Sequence, residues 1–365
     1  MCGEIRGISV GVIIAMIIVL IIGITLGYGI TQLVLKPTIL TTTITETKPT
    51  TIIVTEVAKP KVRTLFDVIG RKIELREIPE RVVSLAPSIT EILFAVGVGN
   101  KIIGVDSFSN YPPEVVKLVK QGKIKVVGDY WAPDLEKIVE LEPVLIIADL
   151  GAHYKYLTKF EELGLKVMFV KGGSSSSLND IYSDILFIGE ALNVTEKAYE
   201  VVSKIKKTIS QVEEMLIRAN VTRRKVLVLL GPPTYGFWTA GSGTYIDELI
   251  KICGGVNIAS KYHGWIQISR EEVISQDPEI IIITIMGTRE DALKVIKEIM
   301  KPEIGLDVTA VRNKEVYVLI GEADDLLCRP GPRVYEAIKM LASIIHPEVF
   351  GEISRSDVIS AKQLG

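Results

Sequence analysis

Cysteine and histidine are nearly missing from this chain, and each shortage closes a class of function. Three cysteines in 365 residues (Cys2, Cys253 and Cys328) exclude a disulfide scaffold and every CxxC metal site. Three histidines (His153, His263 and His346) are not spaced as the paired ligands of a dedicated zinc or manganese site. A basic excess is absent too. With 42 Lys+Arg against 44 Asp+Glu, net charge −2, nothing is set up to hold a nucleic-acid backbone. No G-x-S-x-G, Walker A or H-E-x-x-H pattern occurs. Gly172-Gly173, followed by serines, lacks the spacing and the lysine of a phosphate loop and reads as a linker into a helix.

What the chain has in abundance is apolar surface, and much of it sits at one end. Residues 7–35 are 29 in a row without a charge, long enough to cross a bilayer as a helix. No A-x-A-like exit follows, so an uncleaved signal anchor over 1–36 is expected. The pattern Arg6-Gly7-Ile8-Ser9 also resembles an archaeal pilin-like cleavage site, and only six glutamines accompany an Ile/Val/Lys/Glu-rich body of thermophile composition. Cys2 has no lipobox before it. Residues 41–55 hold eight threonines, a polar stretch that builds no core and reads as a stalk over 37–62. The globular body is then expected outside the cell, on a single-pass anchor. A Cys253–Cys328 disulfide is open in that compartment.

The body alternates β-branched runs with helical periodicity, which predicts an α/β fold of parallel sheets. Strands are expected at 82–85, 102–106, 125–127, 144–148 and 166–170, then at 225–230, 279–284 and 315–319. Between the sets lies a helical stretch near 178–219, opened by the capping pattern Ser177-x-x-Asp180. The sets look like copies. Leu135-Glu136-Lys137-Ile138-Val139 precedes Glu142-Pro143 and a strand, as Arg270-Glu271-Glu272-Val273-Ile274 precedes Asp277-Pro278 and another. Glu136 and Glu271 stand seven residues before their prolines. We therefore expect two Rossmann-like lobes, 63–172 and 223–365, joined by one long helix within 173–222. A ligand cleft between them follows.

Trp131, Trp238 and Trp265 all fall where loops are predicted, with Phe108, Tyr130 and Tyr235 nearby. Large flat side chains on facing loops suit a large, rigid, partly apolar ligand. Two prolines and a glycine around Arg329-Pro330-Gly331-Pro332-Arg333 pre-orient Arg329 toward polar groups of such a ligand. Arg333 falls in a helix first turn, where solvation is the ordinary state. Glu136 and Glu271 have a local reason as first-turn acids. Their identical spacing in both copies suits docking to a two-fold symmetric partner.

Arg81-Val-Val-Ser-Leu-Ala-Pro-Ser-Ile-Thr-Glu-Ile-Leu-Phe-Ala-Val-Gly97, with Ile103-Gly-Val-Asp106 and Ser109-Asn-Tyr-Pro-Pro113, closely resembles the helical-backbone class of ABC-transporter substrate-binding proteins. These bind cobalamin, ferric siderophores or haem, without catalysis and with little closure. Trp265-Ile-Gln-Ile-Ser-Arg-Glu271 and Trp238-Thr-Ala-Gly241 look closest to cobalamin-binding members. The resemblance implies ligand contacts at Phe108, Tyr130, Trp131, Trp238, Trp265, Asp325 and Arg329. It also implies permease docking at Glu136 and Glu271, no resident cofactor, and partners comprising a permease with its ATPase. The cargo is a corrinoid or, alternatively, a ferric siderophore or haem. Phe108 lacks the phenol usual there, the family's tryptophan near Asp149 is replaced, residues 154–156 are an unfamiliar insertion, and the partner of the family cysteine matching Cys253 is missing near Leu341.

Overall fold

The computed structural model describes residues 41–42, 54–55, 62–301 and 306–364. The anchor expected over 1–36 lies outside the described residues, as does most of the stalk, of which Thr41–Thr42 and Val54–Thr55 pair antiparallel. Among the described residues no helix is long and apolar enough to cross a membrane.

Residues 62–365 form one compact unit. It opens on an antiparallel pair, β1 (Arg63–Phe66) and β2 (Lys72–Leu75). The N-terminal sheet follows, from β3 (Val82–Ser84), β4 (Ile102–Val105), β5 (Lys125–Val126), β6 (Leu145–Asp149) and β7 (Val167–Val170). All its pairings are parallel, in the order β5-β4-β3-β6-β7. Parallel neighbours need crossovers, here supplied by α1 (Pro87–Ala95), α2 (Pro113–Lys120) and α3 (Leu135–Glu140) among others. β6 and β7 are buried on both faces, as their unbroken apolar runs require.

The second sheet is mixed. β8 (Arg224–Leu230), β10 (Gly255–Asn257), β12 (Ile280–Thr284) and β13 (Val316–Leu319) run parallel. β9 (Phe237–Ala240), β11 (Trp265–Ile268) and β14 (Val358–Ser360) join antiparallel. Of these seven strands β8, β12 and β13 stand where the sequence predicts strands, and the short β9, β10, β11 and β14 do not. The connection from β8 to β9 is too short for a crossover helix, so the chain must fold back as a hairpin.

The expected single linking helix is two. α4 (Leu178–Ala191) stops where Asn193 turns left-handed (φ 58°), a conformation asparagine tolerates, and α5 (Thr195–Ala219) restarts. Gly189 lets them touch: a Cβ there would stand 2.4 Å from that of Ala198. α5 packs on α4 and also on α10 (Val334–Ile345) of the second lobe. One apolar core consequently runs through both lobes, from Val82, Ile147 and Met168 through Ile185 and Ile205 to Val226, Ile282 and Leu341.

The repeat seen in the sequence recurs in the backbone. α3 is capped by Asp134, and α7 (Arg270–Gln276) by Ser269. Each helix ends at a left-handed non-glycine residue, Glu142 (φ 45°) or Asp277 (φ 48°), directly before its proline. Each then enters a five-residue strand through a matching bond: Val144 N–H to Arg81 O, and Glu279 N–H to Lys225 O, both 2.9 Å.

Candidate functional site

The first sheet reverses its strand order between β3 and β6, and ligands of such sheets meet the loops beyond the strand ends there. There stand Pro87 and Ser88 at the start of α1, Phe108 in the loop after β4 and Asp149 at the end of β6. Together with Tyr130, Trp131, Gly173 and the second lobe's Met286, Asp325, Cys328 and Arg329, they wall a cavity of about 240 Å³.

A buried polar chain holds Phe108. The Asp106 carboxylate accepts from the Phe108 amide (2.8 Å) and the Ser109 hydroxyl (2.5 Å), and Ser109 meets Thr90, which donates to Ser84. Burial pushes the Asp106 carboxyl up to about 6. Phe108 meets Trp131 edge-on, ring centroids 5.8 Å apart, and Trp131 meets Tyr130 at 4.8 Å.

The Tyr130 loop is fixed from below. Its hydroxyl donates to buried Asp149 (2.9 Å), which also accepts from the amides of Gly173 and Ala152. A Cβ at Gly172 (φ 51°) would lie 2.1 Å from Asp149 Oδ2, and one at Gly173 would lie 2.7 Å from Tyr130 Oη. The glycine pair therefore gives Asp149 and Tyr130 room to meet. His153 is fully buried: Nδ1 accepts from the Asp149 amide, so Nε2–H donates to Tyr130 O at 2.6 Å. Burial lowers its proton affinity and keeps it neutral.

Arg329 lines this cavity, but its donors are engaged. It reaches Asn110 (2.7 Å) and Phe108 O (3.2 Å) on the first lobe, Asp325 (2.7 Å) beside it, and Glu91 (3.1 Å) on α1. Arg333 is not solvated. It is 5% exposed, holds Glu91 through two bonds of 2.7 and 2.8 Å, and lies 3.7 Å over the Tyr111 ring. Glu91 is thus the hub of a buried ionic joint between lobes. Its signal was present, the one charged residue of α1, but only the fold pairs residues 242 positions apart.

Trp238 and Trp265 lie on strands, not loops. β9 and β11 alternate, sending Phe237, Ile266 and Ile268 to the core and the two tryptophans to the other face. They are 46% and 42% exposed and line neither this cavity nor the larger one beside it. Trp265 stands against buried Tyr245 (5.9 Å), which donates to Leu327 O, next to Cys328 in the cavity wall. Cys253 and Cys328 are both free, and Cys253 donates to Ile338 O deep in the core.

Glu136 and Glu271 are exposed at corresponding first turns. Neighbouring carboxylates take the nearby lysines, Asp134 with Lys137 and Glu272 with Lys261. Among the described residues neither Glu136 nor Glu271 is drawn into an ion pair.

A family model described as periplasmic binding protein matches residues 82–323. An ABC transporter substrate-binding lipoprotein of Bacillus subtilis, YvrC, is 29% identical over 79% of this chain and 87% of its own. A vitamin B12-binding protein of Photorhabdus laumondii is 29% identical over 72% and 86%. Among solved structures, the periplasmic heme-binding protein RhuT from Roseiflexus sp. RS-1 matches with TM-score 0.62 and 26% identity, covering 74% of this chain and 99% of its own.

Proposed function

The chain belongs to the periplasmic binding protein family, and from that premise we propose that it serves an ABC importer as its extracytoplasmic substrate-binding protein. It captures a corrinoid such as cobalamin and hands it, chemically unchanged, to a membrane permease with a cytoplasmic ATPase. The apolar run of residues 7–35 holds it to the membrane. The observation behind this reading is the cleft itself: aromatic side chains held on rigid loops, facing Asp325 and Arg329 across the lobe junction. Phe108, Tyr130, Trp131, Asp325 and Arg329 are the contacts within it; Trp238 and Trp265 line neither cavity and are left out of the contact set. Glu136 and Glu271 meet the permease. Likeness to a vitamin B12-binding protein supports the corrinoid, and likeness to a heme-binding one supports the alternative cargo of haem or a ferric siderophore.

The test is a titration of the full chain in detergent, following tryptophan emission, with cyanocobalamin, haem and ferric siderophores in separate runs. Saturable quenching by cobalamin alone is the expected result; quenching only by an iron chelate retires the corrinoid. Replacing Trp131 by alanine is expected to weaken binding of the quencher by at least about 1 kcal/mol, since buried aromatic contacts carry that much. An unchanged affinity removes Trp131 from the site.

A further inference from the structure

The cavity of about 240 Å³ is too small for a macrocyclic metal chelate, whose sites run to several hundred Å³. A second, larger space of about 770 Å³ adjoins it and shares Trp131, Met286, Asp324 and Cys328 as walls. This lateral chamber lies almost wholly in the second lobe. It is bounded by the loop after β8, by Met286 beyond β12, and by one face of α8 (Arg289–Ile299). Most of any cargo must occupy it, yet of the aromatic residues singled out in the sequence only Trp131 and Tyr235 line it.

Its charges are one-sided. Asp291, Glu298 and Asp324 line the chamber with Lys294 as the sole cation, and Lys294 is paired to Asp291 at 3.0 Å. The Thr288 amide and hydroxyl and Lys294 hold Asp291 ionised, with its carboxyl down at about 2. Glu298 is half-buried and has no ion pair among the described residues. Counting both cavities, five carboxylates (Asp149, Asp291, Glu298, Asp324, Asp325) face two cations, Lys294 and Arg329. Arg329 is already engaged by Glu91 and Asp325. An anionic cargo would bring like charge into a partly desolvated space, a juxtaposition that suppresses binding. Amide arms would instead donate hydrogen bonds to the same carboxylates.

We propose that the lateral chamber is the specificity-determining subsite and that Asp291 and Glu298 select a chelate fringed with amides over one fringed with carboxylates. This rests on the corrinoid reading and narrows it. The experiment is a titration of the full chain with dicyanocobinamide, whose arms end in amides, and with dicyanocobyrinic acid, the same macrocycle with carboxylate arms. The unaltered chain is expected to favour the amide form by at least about a hundredfold. Glu298→Lys is expected to cut that preference about tenfold or more, by improving the acid form and weakening the amide form, which loses an acceptor for its arms. Asp291→Asn, which keeps an acceptor for the helix cap, is expected to act in the same direction. A preference that is small in the unaltered chain, or unmoved in both variants, overturns the proposal while leaving the corrinoid in place. If neither corrinoid binds, the corrinoid reading fails; tight binding of dianionic haem then overturns the charge selection too, whereas binding of cationic ferrioxamine but not haem upholds it.

Discussion

Replacing Glu91 by glutamine is expected to lower the stability of the chain by about 3–5 kcal/mol. Glu91 is 3% exposed and Arg333 5% exposed, so the change leaves a buried guanidinium with only the half-exposed Glu322, at 3.0 Å, as its carboxylate partner. Arg329 loses the same partner. Glutamine keeps the shape and one acceptor, so the loss reports charge rather than a cavity. The measurement is denaturant unfolding at neutral pH. A cost under about 1 kcal/mol would mean that the joint contributes little. Removing both charges, Glu91→Met with Arg333→Met, is expected to recover most of the deficit, because the desolvation penalty leaves with them. If the double variant were no better than the single, packing and not charge would be the cause.

Reversing both Glu136 and Glu271 to lysine is expected to cut transport of the cargo into vesicles carrying the cognate permease by at least about tenfold. Cargo affinity should stay within about twofold. Both glutamates are exposed, lie on corresponding first turns and are outside the walls of both cavities. The helix dipole accounts for one acid at a helix start, not for two at identical distance from a left-handed turn and a proline. Reversal of one glutamate alone is expected to give a partial loss. Unimpaired transport by the double variant, or a collapse of cargo affinity with it, would end the docking assignment.

How far the sequence could be read followed from which interactions are local. Strands buried on both faces announce themselves as apolar runs, and β3, β4, β6, β7, β8, β12 and β13 were visible for that reason. β9 and β11 were not, because their alternation covers only four residues each and their pairing depends on a fold-back. The aromatic trio Phe108, Tyr130 and Trp131 was legible from loop position alone. Trp238 and Trp265 drew attention by residue type, which says nothing of the strand face they occupy. Arg329 looked poised for a ligand, but whether its donors are available depends on Glu91 and Asn110, over 200 residues away. Asn193 could have marked the break between α4 and α5, since a small polar residue at the end of a helical pattern is a known terminator.

The unbroken core through both lobes makes them halves of one cooperative system. Two lobes with separate interiors would melt one after the other. Here Ile185 and Ile205 belong to the same interior as Met168 on one side and Leu341 on the other, so each sheet loses the covering of one of its two faces once the other lobe is lost. Unfolding is then a single event, and a cargo that binds only the folded cleft stabilises every part of the unit by the same amount. A thermal shift on loading would be shared by residues far from the cleft, including the helices that carry Glu136 and Glu271.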